Sequence, residues 1–341
     1  MINAPRFRAC WAVHEGLDCL ELEGIGPDSR VAVRVQTGRN LPGSPGMAGQ
    51  YSRTLDRVRF VPRFPFLEGR TYTIEVDGRG VGEVTRARTE GPAVASVIGI
   101  WPTATHVPRN LLRFYIRFSV RMSAGSCARN VRLCTADGSV LERALFSMDD
   151  ELWDGERQRL TVLLDPARIK RGLVAHRRLG YPLVAGQTIR VVVDRGFLDA
   201  QGRPLCGGAE RTYQVAPDER RRVDPFAWEL RLPVAGTSEG LEVVFNRPLD
   251  HALIDRCLRV LGPDGKARQG YGEAGQGETS WVYHPAHSWS AGEYRLLVDP
   301  VLEDLAGNSV RRVFDRDLNR PEHRPPIPAP VERCFRIHAE D

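Results

Sequence analysis

Lysine is almost missing from this chain. Of 341 residues 48 are basic, yet only Lys170 and Lys266 are lysines, which leaves 48 − 2 = 46 arginines. The net charge is a mild +5. Basic residues lie scattered among acids, with no basic stripe interleaved with aromatics, so the composition argues against nucleic-acid binding. An arginine bias of this kind reads as genome composition. No window approaches the ~18 consecutive apolar residues of a membrane-spanning helix. No CxxC occurs among Cys10, Cys19, Cys127, Cys134, Cys206, Cys257 and Cys334, which excludes zinc-ribbon and thioredoxin readings. The odd count forbids complete internal pairing. Cys10 with Cys19 and Cys127 with Cys134 are near enough in sequence for local disulfides, but small buried thiols in β-cores are the simpler expectation. GxSxG, a Walker loop, HExxH and a GxGxxG after a strand are all missing, so no common catalytic signature is present.

What is present is a succession of short strands. Residues 113–120 (RFYIRFSV), 159–164 (RLTVLL), 187–193 (QTIRVVV), 241–245 (LEVVF) and 294–298 (YRLLV) are β-branched or aromatic runs bounded by Gly, Pro, Asp and Asn. Short helical turns are expected at 124–130 and 252–257, and no helical period lasts beyond about two turns. At roughly 100–200 residues per domain, the length suggests two or three domains.

Self-similarity organises these strands. Phe118 precedes the Asp137-Gly138 pair by 137 − 118 = 19 positions, and Phe245 precedes Asp264-Gly265 by 264 − 245 = 19. Ile189 stands 10 before Asp199 and Tyr294 stands 10 before Asp304, by subtraction of their numbers. The first-half offset is 245 − 118 = 127 and the second-half offset 304 − 199 = 105, so the earlier copy carries 127 − 105 = 22 extra residues. Their expected place is 165–183, DPARIKRGLVAHRRLGYPL. A more divergent copy is read at 5–91, where RVRFVP and GRTYTIEV parallel WVYHP and GEYRLLV. Boundaries are expected in 89–94 (TEGPAV) and 216–224 (APDERRRVD), giving units 1–92, 93–217 and 218–341. A Pro-rich segment, 319–330, feeds a strand-like tail at 331–338.

The pattern of F-S-x-x-M, an apolar strand ending in D-G, then G-x-Y-x-L-x-V and D-x-A-G-N resembles bacterial Ig-like domains of the S-layer-protein type. In the third unit it is carried by Phe245, Asp264, Gly265, Pro285, Gly292, Tyr294, Asp304, Ala306, Gly307 and Asn308. In the second it is carried by Phe118, Ser119, Met122, Asp199 and Gly202. That unit departs where Ile189 replaces Tyr and where Gln201 and Arg203 flank its glycine. The resemblance implies an all-β fold of tandem Ig-like β-sandwiches, used as structural or binding modules on cell surfaces.

Several residues merit weighing as sites. Asp304, Gly307 and Asn308 suit a tight turn, since Asp accepts from N–H groups two or three residues on and Gly307 or Asn308 takes a positive φ at little cost. Calcium is the competing reading and would need Glu303, Asp304 and neighbouring oxygens. His284 and His287 offer two imidazoles without a third zinc ligand. Asp149, Asp150, Glu151, Asp154 and Glu156 surround Trp153, and the expected form is a solvated loop with Trp153 as its anchor. Residues 165–183 bring Arg168, Lys170, Arg171, His176, Arg177 and Arg178 with no acid after Asp165. Such a loop can meet phosphate, an acidic glycan or an acidic protein face. Otherwise its arginines are solvated while Ile169, Leu173 and Leu183 cover a sheet edge. A Gly-rich stretch, 265–277, is expected as a loop.

No cofactor is expected beyond the calcium reading. The expected role is a non-enzymatic structural, spacer or binding module of the cell envelope, with a protein or glycan partner. The binding candidates are Arg168, Lys170, Arg171, Arg177, Arg178, Asp149, Asp150, Glu151 and Trp153. One alternative is an intracellular accessory or enzyme component with a site built from inter-domain loops. Another is a polysaccharide-binding module using Trp101, Trp153 or Trp289. The opening stretch MINAPRFRACWAVHEG has no apolar h-region. A periplasmic, surface or secreted location therefore calls for a leader upstream, and without one the cytoplasm is expected.

Overall fold

Alternation of buried and outward residues runs through the strands, as a half-buried sheet face requires. The structure, a computed structural model, describes residues 7–14, 17–36, 46–54, 57–87, 93–146, 151–315 and 330–339. Its first unit comprises β1 (Arg8–His14), β2 (Leu17–Glu23), β3 (Val31–Val35), β4 (Gly49–Arg53), β5 (Arg57–Pro62), β6 (Thr71–Val76) and β7 (Arg79–Thr85). The second comprises β8 (Val97–Trp101), β9 (His106–Pro108), β10 (Arg113–Phe118), α1 (Cys127–Asn130), β11 (Val131–Thr135), β12 (Leu152–Trp153) and β13 (Arg159–Leu163). It continues through α2 (Pro166–Ile169), α3 (Val174–Leu179), β14 (Thr188–Val193) and β15 (Ala209–Ala216). The third comprises β16 (Glu229–Arg231), β17 (Leu241–Val244), α4 (His251–Cys257), β18 (Leu258–Leu261), β19 (Gly270–Ala274), β20 (Ser280–Pro285), β21 (Gly292–Val298) and β22 (Val331–Ile337).

Sheet order identifies the architecture. The first unit pairs β1-β2-β5-β4 with β3-β6-β7, and the third pairs β16-β17-β20-β19 with β18-β21-β22. Lettered along the chain these are A-B-E-D against C-F-G, the constant-type Ig arrangement. The second unit has β8-β10-β13-β12 against β11-β14-β15, and β9 adds to β15 in parallel. The chain is therefore an all-β protein of Ig-like sandwiches, each with its own core. Phe118 and Phe245 are buried, as are Ile189 and Tyr294 beneath the opposite sheet.

Some local expectations change. The Gly-rich stretch is not all loop, because Gly270–Ala274 forms edge strand β19. Its glycines leave room for rings lying across the strand: a Cβ at Gly272 would come within 2.1 Å of Trp281 Nε1. Residues 165–183 fold into α2 and α3, which periodicity did not suggest because each spans under two turns. Leu152 and Trp153 form a short edge strand instead of a free loop. Asp149, Asp150, most of the 89–94 boundary and 319–329 of the Pro-rich segment lie outside the described residues. The tail strand β22 pairs along the whole of β21. No helix among the described residues is long and apolar enough to cross a membrane.

All seven cysteines are free. Cys19, Cys134 and Cys257 are buried, while Cys206 and Cys334 are exposed. Burial pushes the Cys127 thiol up to about 12, with the Glu151 carboxylate adding to the shift, and pushes Cys257 up to about 11. Thiol reagent at pH 8 is thus expected to modify Cys206 and Cys334 promptly in the native protein, with Cys19, Cys127, Cys134 and Cys257 reacting only after denaturation. Mass mapping of the labelled cysteines checks this.

Candidate functional site

Two Asp turns occupy matching places in the second and third units, between the F and G strands. Asp199 Oδ1 accepts from the N–H of Gln201 at 3.0 Å and of Arg203 at 2.9 Å. Asp304 Oδ1 accepts from Ala306 at 3.0 Å and Asn308 at 2.9 Å. Gly202 and Gly307 take φ of 79° and 76°, the left-handed region that glycine enters freely. The second oxygen differs: Arg203 Nε serves Asp199 Oδ2 at 2.9 Å, whereas Asn308 Nδ2 at 3.0 Å and Arg247 at 3.1 Å serve Asp304 Oδ2. Arg203 thus does the work of the missing Asn. N–H donors surround these oxygens, and an arginine guanidinium pairs with each carboxylate.

The Asp304 turn reaches out of its own unit. Leu305 is 7% exposed and belongs to the core of the second unit, where its carbonyl accepts from Leu112 N–H at 3.0 Å. A Cβ at Gly307 would lie 2.7 Å from Leu112 Cδ2, so glycine permits the close approach. Around this plug the joint is polar. Tyr115 donates to both oxygens of Asp250 at 2.9 Å, and Arg113 pairs with Asp250 at 2.8 Å and with Glu303. Glu278 accepts from Thr103 N–H at 2.7 Å, Thr103 hydroxyl at 2.7 Å and Ala104 N–H at 3.3 Å. Glu219, in the connecting segment, exchanges two backbone bonds with the Asn110 amide and accepts from Asn308. A groove of about 700 Å³ runs along the joint, walled by Val107, Pro108, Ala216, Pro248 and Leu305.

The insertion 165–183 lies in the E–F crossover and abuts this joint. Arg168, expected to be solvated, is 9% exposed. Its guanidinium donates to the carbonyls of Gly180 at 3.1 Å, Arg143 at 3.0 Å, Leu179 at 3.3 Å and Tyr181 at 2.7 Å. It therefore ties the end of α3 to the unit and is spent on structure. Lys170 lies 4.8 Å over the Phe314 ring, and Arg171 pairs with Asp315 at 3.1 Å. Arg220 also holds Asp315, at 2.5 Å, and donates to the Tyr181 hydroxyl. Ile169 and Leu183 are buried as expected, but Leu173 is 44% exposed. Arg177 and Arg178 are exposed beside Val174, Leu173 and Leu179, and have no carboxylate partner among the described residues.

The remaining candidates are dispersed. Glu151 accepts from Cys127 N–H at 2.6 Å and Trp153 Nε1 at 2.7 Å, and Trp153 packs on Phe118 and Phe197. Trp289 is buried against Tyr294 under the Gly292 strand, and Trp101 is covered by His251. His284 stacks on Tyr271 at 4.8 Å. Sequence reasoning missed Tyr115, Asp250 and Glu278, because carboxylates more than a hundred residues from their partners leave no local spacing to read. The Asp250 N-cap before α4 was the one available signal.

No family model matches the chain, and no curated protein does. Solved structures similar to it include native alpha-2-macroglobulin from Escherichia coli spanning domains MG0-NIE-MG1, 9% identical over 72% of this chain and 90% of that one, at TM-score 0.24. Surface layer protein SbsC, domains 4–9, is 9% identical over 84% of this chain and 41% of that one, at TM-score 0.21. The N-terminal eight Ig domains of the Down Syndrome Cell Adhesion Molecule are 11% identical over 98% and 42%, at TM-score 0.17. Scores this low carry no argument about ancestry or activity; the strand order alone makes the units Ig-like.

Replacing Arg168 by Met leaves four carbonyls without their charged donor. The melting temperature is expected to fall by the equivalent of about 3 kcal/mol, at ~1.5–3 kcal/mol for a hydrogen bond to a charged group. Amide exchange at Gly180, whose N–H bonds His176, is expected to accelerate first. Unchanged exchange there would show that α3 does not depend on Arg168. A second expectation concerns pH. Burial pushes Asp304 up to about 6 from an ordinary 3.8, against the pull of Arg247 and the Asn308 donors. Between those values the native state holds the extra proton, so the group's contribution is full below 3.8 and lost as pH rises through about 6. The stability advantage of native protein over Asp304→Asn is expected to shrink from pH 4 to pH 7. A widening gap would mean that Arg247 outweighs burial.

Proposed function

We propose that the chain is a non-enzymatic Ig-like spacer and binding module of the bacterial envelope, close in type to S-layer Ig-like domains. In this reading its second and third units act as one stiff body that holds the insertion out as a display surface. The observation that carries the reading is Leu305, a third-unit side chain buried in the second unit's core. A flexible tether has no reason to bury an apolar side chain across its joint, and the buried carboxylates of Asp250, Glu278 and Asp304 are each held there by donors. The exposed ridge of Leu173, Val174, Arg177 and Arg178 suits an acidic partner face. The envelope assignment draws its support from the resemblance in the repeats.

Small-angle scattering tests the stiffness. Native protein is expected to fit a single elongated shape, and Leu305→Ala to give a broader size distribution. That variant is also expected to lose about 2–4 kcal/mol of stability, the usual cost of truncating a buried leucine. Native protein that already scatters as loosely linked units would sink the reading.

A further inference from the structure

The β10–β13 ladder sets Arg117 directly opposite Arg159. Like charges facing each other across an antiparallel pair are destabilising. Arg113, on the same face of β10, has its charge met by Asp250 and Glu303. Among the described residues neither Arg117 nor Arg159 has a carboxylate partner. Asp154 Oδ1 accepts from the backbone N–H groups of Gln158 at 2.9 Å and Arg159 at 3.1 Å and leaves the Arg159 guanidinium unpaired. The Arg159 guanidinium lies 5.5 Å from the Tyr115 ring, and its Nε is buried without a hydrogen bond.

His251 completes the cluster. Its ring stacks on Trp101 with centroids 4.6 Å apart and planes 18° from parallel. Trp101 in turn lies against Gly99, where a Cβ would come within 2.6 Å of the indole. The imidazole is thus held in place, and its Nδ1 is buried without a partner. Burial lowers the His251 pKa, Asp250 opposes the shift, and Arg159 and Arg117 both add to it. Asp250 is already engaged by Tyr115, Arg113 and the Ala252 N–H. Arg117 is exposed, and Arg159 and His251 are half-buried, so solvent reaches the group.

We propose that Arg117, Arg159 and His251 form a binding site for a tetrahedral oxyanion, either free phosphate or a phosphate or sulfate ester. An oxyanion between the two guanidinium groups turns an opposed pair into a bridged one. Arginine presents a planar fork of donors that matches such oxygens in bidentate fashion. Two facing cations favour a dianion over a monoanionic carboxylate. The site lies beside the joint but shares no residue with the insertion and does not depend on the spacer reading.

Scanning calorimetry of the full chain at pH 7.5 and fixed ionic strength tests it, with inorganic phosphate, sulfate, acetate and chloride compared. Phosphate or sulfate is expected to raise the melting temperature, and acetate to behave as chloride. Titration calorimetry with phosphate is expected to show binding at least tenfold weaker in Arg117→Gln and in Arg159→Gln. In chloride, Arg117→Gln is expected to be as stable as native protein or more so, which separates loss of binding from loss of fold. The His251 ring protons, followed by NMR, are expected to titrate at higher pH with phosphate present. Equal effects of all four anions, unchanged binding in both variants, or lower stability of Arg117→Gln in chloride would each overturn the site.

Discussion

A carboxylate that folds its own turn is the constraint on which the joint between the second and third units depends. Asp304 gathers the N–H groups of Ala306 and Asn308, and that geometry aims Leu305 outward. The side chain then fills a hole in a neighbouring sandwich. Without the carboxylate the loop has no reason to hold one shape, and without one shape Leu305 cannot be delivered. Asp199 closes the same turn in the second unit, but there Gly202 meets the first unit through the Glu68 backbone, at 3.0 Å for a Cβ added to the glycine. The same turn therefore faces the preceding unit at both joints. In the first unit a tight Asp77-Gly78 hairpin joins the corresponding strands β6 and β7 instead.

Polar groups surround the apolar plug because a joint between sandwiches has little apolar area to offer. Burying Asp250, Glu278 and Asp304 removes them from water at a cost of several kcal/mol per ion, so each must find donors. Asp250 takes a tyrosine and an arginine, Glu278 takes two backbone amides and a hydroxyl, and Asp304 takes its own turn and Arg247. Desolvation still leaves Glu278, Glu303 and Asp304 with raised pKa values. These contacts fix the relative orientation of the units more than they add stability. A mismatched orientation would strand a buried charge, which costs far more than a lost surface pair.

The insertion shows how position changes the meaning of charge. A run of arginines without acids looks like one surface, yet the fold separates it into a buried brace at Arg168, paired or ring-stacked groups at Arg171 and Lys170, and outward groups at Arg177 and Arg178. The Glu151 and Trp153 pair likewise serves packing. Arg117 and Arg159 belong to no charged run at all. They meet only because their strands align in register.

Repeated spacings and alternating strands made the sandwich class legible, because the period of a strand and the chemistry of an Asp-Gly turn are local properties. The sequence alone determined that these chains of residues form sheets, that Asp199 and Asp304 close turns, and that extra residues enter the second unit near 165–183. Tertiary structure alone decided that Leu305 belongs to another unit's core, that Arg168 is buried, and that Tyr115 meets Asp250. Those outcomes depend on how two folded units pack against each other, and contacts between residues far apart in the chain leave no periodic trace in it.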